Sequence, residues 1–355
     1  MLPATVVIGA GLSGLYAARL LEQGDHDVLL LEARERVGGR ILSLSADDGV
    51  HAYDMGPSWL WPAMNPRAAR LIEALAATLY PQHVDGGAVM EEASGRVQRL
   101  QRTWATEPAS MRVYGGIGAL THALRDSLQR TSIRLGTRVT SLRLLGADTV
   151  EVTLESGETV RTARVISTLP PRLLVDTLSW MPALPADWQA ARRATPTWMA
   201  GQAKFLAIYD HAFWRANGLS GMAMSQRGPL VEIHDASDAD GKHAALFGFV
   251  GVAHDGRRQL GRDQLVRLAL AQLTRLFGSR ASTPQTVHLK DWADASCTAV
   301  PADAIPPPGH PSYPQASLPA PWSGCVQLAG SEFAGDFAGY LEGALDAAER
   351  AVLMA

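Results

Sequence analysis

Residues 5–33, TVVIGAGLSGLYAARLLEQGDHDVLLLEA, carry the reading that decides the fold. A buried-type strand, Thr5 to Ile8, runs into a glycine turn. Leu12, Leu15, Ala18 and Leu21 then recur at helical spacing, Gly24 stands where that helix should stop, and a second apolar strand follows from Asp27 to Leu31. That order is a βαβ opening. Gly9, Gly11 and Gly14 form G-x-G-x-x-G at the strand-to-helix turn, and Glu32 follows Gly14 by 18 residues at the end of the second strand. Gly9 permits the tight turn, Gly11 lets backbone approach a pyrophosphate, and Gly14 lets helix and strand pack closely. The helix N-terminus supplies N–H donors and dipole for phosphates. Glu32 is placed to accept from an adenosine ribose hydroxyl. That acid disfavours the 2′-phosphate that Arg34 and Arg36 would otherwise suit.

The next segment separates one dinucleotide from another. In VGGR, Val37–Arg40, Gly38 and Gly39 let backbone lie against a cofactor, and Arg40 can neutralise a pyrophosphate with its planar donor fork. A nicotinamide site has no general need of this second glycine pair, whereas an FAD site can use it. Outward from there, Asn65–Ala77 and the stretch from Gly115, GGIGALTHALRDSLQR, have helical periodicity. The stretch ending in RVIST reads as a small antiparallel meander with a turn at Ser156–Gly157, closed by a buried strand. QAKFLAIY, PLVEIHD and AALFGFVGV read as strands of a second unit, followed by a helix from Arg262 to Phe277. CVQLAG and a final helix striped by Leu341, Ala344, Leu345, Ala348 and Val352 return to the first.

Composition closes off other classes. The chain of 355 residues has 32 Lys+Arg against 35 Asp+Glu, and this near-neutral balance gives no basic stripe for nucleic acid. Its longest apolar run, Ala244–Ala253, falls short of the roughly 18–20 residues of a membrane span, and no secretory signal precedes the glycine loop, so the chain is read as cytoplasmic. Cys297 and Cys325 are its two cysteines; without C-x-x-C or a Cys/His cluster they indicate neither a disulfide framework nor a metal site.

The glycine loop, LEARERVGGR, DMGPSWLW, GGIGAL, VISTLPP and the terminal AGSEFAGDFAGYLEGALDAAERA resemble, in this order, the flavin-containing amine oxidases. The resemblance implies an α/β fold: a Rossmann-type FAD-binding domain of residues 1–64, 113–172 and 285–355, with an inserted mixed α+β substrate-binding domain of residues 65–112 and 173–284. It implies that Gly9, Gly11, Ser13, Gly14, Glu32, Ala33, Arg34, Gly39, Arg40, Gly56, Pro57, Ser58, the backbone of Val139, Gly330, Glu332, Tyr340 and Leu341 lie against non-covalently bound FAD. The spacing of Cys297 after Trp292 is too short for the family's thioether. Tyr340 would form one aromatic wall of the amine's approach; Trp59, Trp292 and Tyr313 are candidates for the other. Lys204 shares a strand face with Leu206 and Ile208. It matches the family's lysine that holds a water near flavin N5, although a lysine guarding a sheet edge would look the same.

The reaction implied is oxidation of a small-molecule amine by hydride transfer to the flavin, giving an imine that hydrolyses to an aldehyde or ketone. A single glycine fingerprint leaves no second nucleotide domain, so dioxygen is the expected oxidant, reduced to hydrogen peroxide. No arginine can be assigned to a substrate carboxylate; Asp54 and Glu232 are candidate acids for a polyamine. Two alternatives stay open: a flavin enzyme acting on a carbon–carbon bond or a dihydronicotinamide, and a binding protein similar to GDP-dissociation inhibitors, which would purify without flavin.

Overall fold

The computed structural model describes residues 5–103, 106–146 and 148–354. Strand β1 (Thr5–Ile8), helix α1 (Leu12–Gln23) and strand β2 (Val28–Leu31) realise the βαβ opening, with Gly24 ending the helix. β1 is the centre of a five-stranded parallel sheet. On one side it pairs with β2, which pairs in turn with Ser132–Arg134; on the other it pairs with Arg164–Ser167, which pairs with Val326–Leu328. A parallel sheet is covered on both faces, which is why these strands are apolar runs rather than alternating ones. Val7 and Leu30 face α1, the helix Gly118–Ser127 and the C-terminal helix Leu341–Leu353. Val6, Ile8 and Leu31 face the other way, onto Val139, Leu142, Val150 and Trp322. That second layer is the expected meander, three antiparallel strands between Val139 and Thr162, extended by Ser179–Met181 in parallel.

The larger unit is a seven-stranded mixed sheet in the order Thr286–Asp291, Ala203–Tyr209, Ala244–Val250, Leu230–Asp235, Leu219–Ser225, Gly87–Glu91, Val97–Arg99. Its core packs against the helical stretch His254–Phe277 through Leu265, Ala269, Leu273 and Phe277. The helix expected from Arg262 is thus preceded by about two further turns, from His254. The two parts are separated by a break at Gly261, whose φ of 71° is not helical.

Two segments fall on the other side of the border drawn from sequence. Thr286–Asp291, grouped with the FAD-binding residues, hydrogen-bonds along Ala203–Tyr209 and is an edge of the larger sheet. The helix Pro66–Ala74, grouped with the substrate-binding residues, packs Ala68, Leu71 and Ile72 into the cluster that holds α1 and the C-terminal helix. Both memberships depend on partners far off in the chain, about eighty residues away for the strand and, for the helix, as far as the C-terminal helix, which local periodicity does not report.

The turn after β1 brings two backbones into close contact. A Cβ added at Gly14 would lie 1.8 Å from the carbonyl oxygen of Gly9 and 3.4 Å from Val7 Cγ1, so α1 can sit on β1 only if this residue has no side chain. Gly324, by contrast, faces open space. Gly14→Ala is therefore expected to cost several kcal/mol, in the upper range of point substitutions, while Gly324→Ala stays within about 0.5 kcal/mol of wild type. Equal thermal or denaturant midpoints for the two variants would contradict this packing.

Candidate active site

One long cavity, about 660 Å3 in volume, runs from the β1–α1 turn to the seam between the two sheets. It opens at the carboxyl end of β1, where the strand order reverses: the chain goes from β1 to β2 on one side and later returns to Arg164–Ser167 on the other. This is where open α/β sheets bind ligands. Gly9, Gly11 and Ser13 from the turn, Glu32, Ala33 and Arg34 after β2, and Gly39 and Arg40 line its first half. Gly56, Pro57 and Ser58 continue the wall, with Val139 opposite.

The chemistry at that end suits an adenine dinucleotide. Glu32 is buried, and its two carboxylate oxygens accept the backbone N–H groups of Ala10 (2.8 Å) and Arg34 (2.9 Å), which fixes it on the cavity wall with lone pairs to spare. No side chain caps α1, so its N-terminal dipole opens onto the cavity. A Cβ on Gly39 would come within 3.2 Å of Gly11 Cα, so the two loops form a bare backbone cradle. The hydroxyl of Ser13 is used elsewhere: it donates to Ala329 O at 2.5 Å and ties α1 to the C-terminal segment. Arg34 donates to Thr298 Oγ1 at 2.5 Å, and Arg138 Nη2 lies 3.1 Å from Cys297 Sγ, which puts Cys297 at this same end.

Three of the sequence-expected residues stand behind the wall rather than on it. Gly14 is in the turn contact described above, and Gly330 packs against the Leu169 carbonyl. Glu332 is fully buried and forms a bidentate pair with Arg40, at 2.6 and 3.0 Å. Its second oxygen also accepts from Ser331 Oγ at 2.9 Å. Burial alone would push the Glu332 carboxyl up, but the adjoining Arg40 guanidinium outweighs it and holds the group below the ordinary carboxylate range.

At the far end stands Lys204. Ala203–Tyr209 is flanked by strands on both sides, which rules out a sheet-edge guard. Lys204 is 3% exposed; its Nζ donates to Ser58 Oγ at 2.6 Å and Gly56 O at 3.1 Å, and lies 3.9 Å from the ring centre of Phe247. Burial disfavours the ammonium and brings its pKa down to about 7, with Asp54 opposing and Arg112 reinforcing the shift. Tyr340 precedes the C-terminal helix, and Leu341 opens that helix beside it; both line the cavity.

Of the aromatic candidates, Trp59 and Trp292 line the cavity, their indole N–H groups held by Gln82 Oε1 (2.8 Å) and Met55 O (2.9 Å). Tyr313 does not. Its hydroxyl donates to Pro196 O at 3.1 Å and its ring packs on Ala334, Ala338 and Ala347, because the proline-rich loop that carries it runs behind the Tyr340 segment. Among the residues lining the cavity, the ring beside Tyr340 is instead Trp198, with centroids 6.1 Å apart and planes tilted by 55°, while His310, off the cavity wall, stacks on Tyr340 at 4.8 Å. Sequence reasoning passed over Trp198; the signal available was an aromatic six residues ahead of the buried lysine. Two non-glycine residues with positive φ, Met199 (61°) and Phe337 (58°), also line this end, a strain that collects at ligand sites. Neither expected polyamine acid reaches the cavity. Asp54 is buried against Ser43 Oγ and the Ile117 N–H, and Glu232 is paired with His234.

Comparison with known proteins agrees with this geometry. Residues 7–75 match the model of an NAD(P)-binding Rossmann-like domain, and residues 95–352, well over half the chain, match that of flavin containing amine oxidoreductases. The chain is 23% identical to amine oxidase [flavin-containing] B of Canis lupus familiaris, over 98% of its own length and 84% of the relative's. It is 24% identical to an L-amino acid dehydrogenase of Synechocystis, over 98% and 93%. It superposes on putrescine oxidase bound to putrescine with a TM-score of 0.82 at 18% identity, covering 99% and 98% of the two chains. With a dinucleotide cradle at one end of the cavity and a buried lysine facing aromatic rings at the other, the matched segments meet at a single site, and the chain belongs to the flavin-containing amine oxidoreductases, as an FAD-dependent oxidoreductase.

Proposed function

We infer that the protein oxidises a small primary or secondary amine with an apolar body, at the Lys204 end of the cavity, and passes the electrons to dioxygen. The observation that carries this reading is the buried Lys204 Nζ, fixed on Gly56 O and Ser58 Oγ where the cavity meets Trp59, Trp198 and Tyr340. Bound FAD supplies the hydride acceptor and, once reduced, the electrons that turn dioxygen into hydrogen peroxide. The chain's own groups do the rest. Glu32 would hold the ribose, the N-terminus of α1 and Arg40 would face the diphosphate, and the N-terminus of the C-terminal helix would offer its dipole to the flavin ring as charge grows on it.

A neutral lysine has two N–H donors and one lone pair. With its donors directed to Gly56 O and Ser58 Oγ, Lys204 keeps the lone pair to accept an O–H from a water, so it positions that water beside the reacting centre. Tyr340 and Trp198 flank the amine. The cavity's carboxylates, Glu32 and Glu342, already accept backbone N–H groups, Glu342 from Arg67 (3.1 Å) and Ala68 (2.9 Å). Glu32 stands at the dinucleotide end and Glu342 is already paired with Arg67 at 3.5 Å, so among the described residues no unpaired carboxylate lines the amine end to favour a protonated amine or a second ammonium.

An anaerobic panel of amines tests the reading: apolar monoamines should bleach the flavin absorbance, diamines much less. If no amine bleaches it while an alkene-forming or dihydronicotinamide substrate does, amine oxidation is refuted. Because the lone pair must be free, the stopped-flow reduction rate should rise about tenfold per pH unit below the amine's own pKa. A rate flat from mild acid to alkali would count against an amine.

Non-covalent attachment is supported by the thiols: Cys297 sits at the Glu32 end, and Cys325 is buried beside Trp322 and Val326. Acid precipitation should leave the yellow colour in the supernatant; colour in the pellet would overturn this assignment.

Lys204→Met keeps length and apolar volume. It should retain FAD while one half-reaction slows tenfold or more, about 1.4 kcal/mol of barrier. Its stability has a sign as well. Folded Lys204 sheds its proton near pH 7, whereas the unfolded chain holds it up to about 10.5, so unfolding takes up a proton between those values and wild-type stability rises with pH there. The melting temperature of Lys204→Met relative to wild type should be highest at or below pH 7 and decline toward pH 10. A gap independent of pH would mean that Lys204 titrates normally.

A further inference from the structure

On the outer side of the hairpin that precedes Asp54, side chains from three separate stretches converge. Asp48 and His51 lie in the turn joining Ser43–Ser45 to Ala52–Asp54, His243 leads into Ala244–Val250, and Asp238 comes from the loop before it. Asp48 Oδ1 accepts the N–H groups of Val50 and His51, each at 2.9 Å, which turns Oδ2 toward the two imidazoles. That oxygen is 2.5 Å from His51 Nδ1 and 3.1 Å from His243 Nε2. The rings stack at 4.1 Å with planes 25° apart, and Asp238 Oδ2 stands 3.5 Å from the other nitrogen of His51. Asp238 is held in turn by the His243 N–H, 3.3 Å from its Oδ1.

We propose that Asp48, His51 and His243, with Asp238 beside them, form a binding site for a divalent transition metal of the zinc class. Two imidazole nitrogens and carboxylate oxygens are a donor set that zinc, copper and nickel accept and that magnesium and calcium avoid. One ligand atom from each of Asp48, His51 and His243 lies within 4.8 Å of the others. Zinc bonds of about 2.0–2.2 Å place neighbouring ligand atoms roughly 3.3–3.5 Å apart in a tetrahedron, so the Asp48–His243 spacing is nearly right, while His51 must turn out of its stack on His243 and withdraw from Asp48 by about 1 Å. All three side chains are part-exposed and free to make that adjustment.

Charge points the same way. Among the described residues no lysine or arginine pairs with Asp48 or Asp238, so with neutral imidazoles the cluster carries two uncompensated negative charges. The comparable group of His254, Asp291 and Asp294 differs on this point: Arg257 already grips Asp291 at 2.5 and 2.7 Å. The site is independent of amine oxidation. Its effect would be to staple the Ser43–Asp54 hairpin to the larger sheet.

The test uses the holoprotein after chelator treatment and dialysis. Zn2+ should bind at one equivalent with a dissociation constant in the micromolar range or tighter and raise the melting temperature, Co2+ should develop visible absorption bands, and Mg2+ should do neither. His243→Gln and Asp48→Asn, both part-exposed, should keep their flavin and each weaken Zn2+ binding at least tenfold. Failure of the wild type to bind Zn2+ saturably below about 1 mM, or unchanged affinity in both variants, would overturn the proposal.

Discussion

The bidentate pair of Arg40 and Glu332 is the point on which the rest of the site depends. It joins residues almost three hundred positions apart, and it recruits a third segment, because Trp198 gives its carbonyl to Arg40 (3.2 Å) and its N–H to Glu332 (3.3 Å). The N-terminal glycine loops, the C-terminal turn and the approach to the Lys204 strand are thereby pinned to one another. Ser331 Oγ adds a contact to each partner, so the carboxylate is satisfied at both oxygens. A buried pair of this quality adds little over an apolar contact when intact, yet removing one partner costs about 3–5 kcal/mol because the other charge is stranded. It therefore fixes geometry: the walls of the cavity cannot slide past one another without breaking it.

A second constraint acts across the seam between the sheets. Lys204 reaches out of the larger sheet to accept its position from Gly56 and Ser58. Behind it, Asp54 and Arg112 are both almost wholly buried and 4.0 Å apart, and Arg112 donates to the carbonyl of Asp235 in the larger sheet. Burial pushes the Asp54 carboxyl up, and Arg112 limits that rise. The depressed lysine is therefore first a product of its burial in this seam: Asp54 works against the shift and Arg112 adds to it.

How far the sequence could be read follows from the range of each interaction. The βαβ opening, the meander and the C-terminal helix were legible because turn glycines and apolar period act within a few residues. The glycine loop, Glu32 and Arg40 could be placed on the cavity wall for the same reason. Trp198 was not legible as the ring beside Tyr340, and Tyr313 looked a better candidate than it is, since which aromatic faces a cavity depends on how a proline-rich loop threads behind another segment. Likewise Arg40 and Glu332 are each recognisable as cofactor-side residues, but nothing local says that they bond to each other. The edge strand Thr286–Asp291 and the helix Pro66–Ala74 were misgrouped because membership of a sheet or layer is decided by distant partners.

The order of strands in the parallel sheet also bears on how the chain is made. β1 leaves the ribosome about three hundred residues ahead of the sheet's outer strand, Val326–Leu328, and of the helix that covers α1. The flavin-side layer thus stays open at one edge and bare on one face until those residues are made, while the Ala203–Asp291 strands can pair as they appear. Long-range parallel pairing is slow and exposes apolar strands while it waits. A nonsense codon or a proteolytic cut between Val326 and Leu353 would strike the piece that completes the sheet begun by β1, so chains clipped there should be cleared as unfinished rather than persist as shortened enzyme.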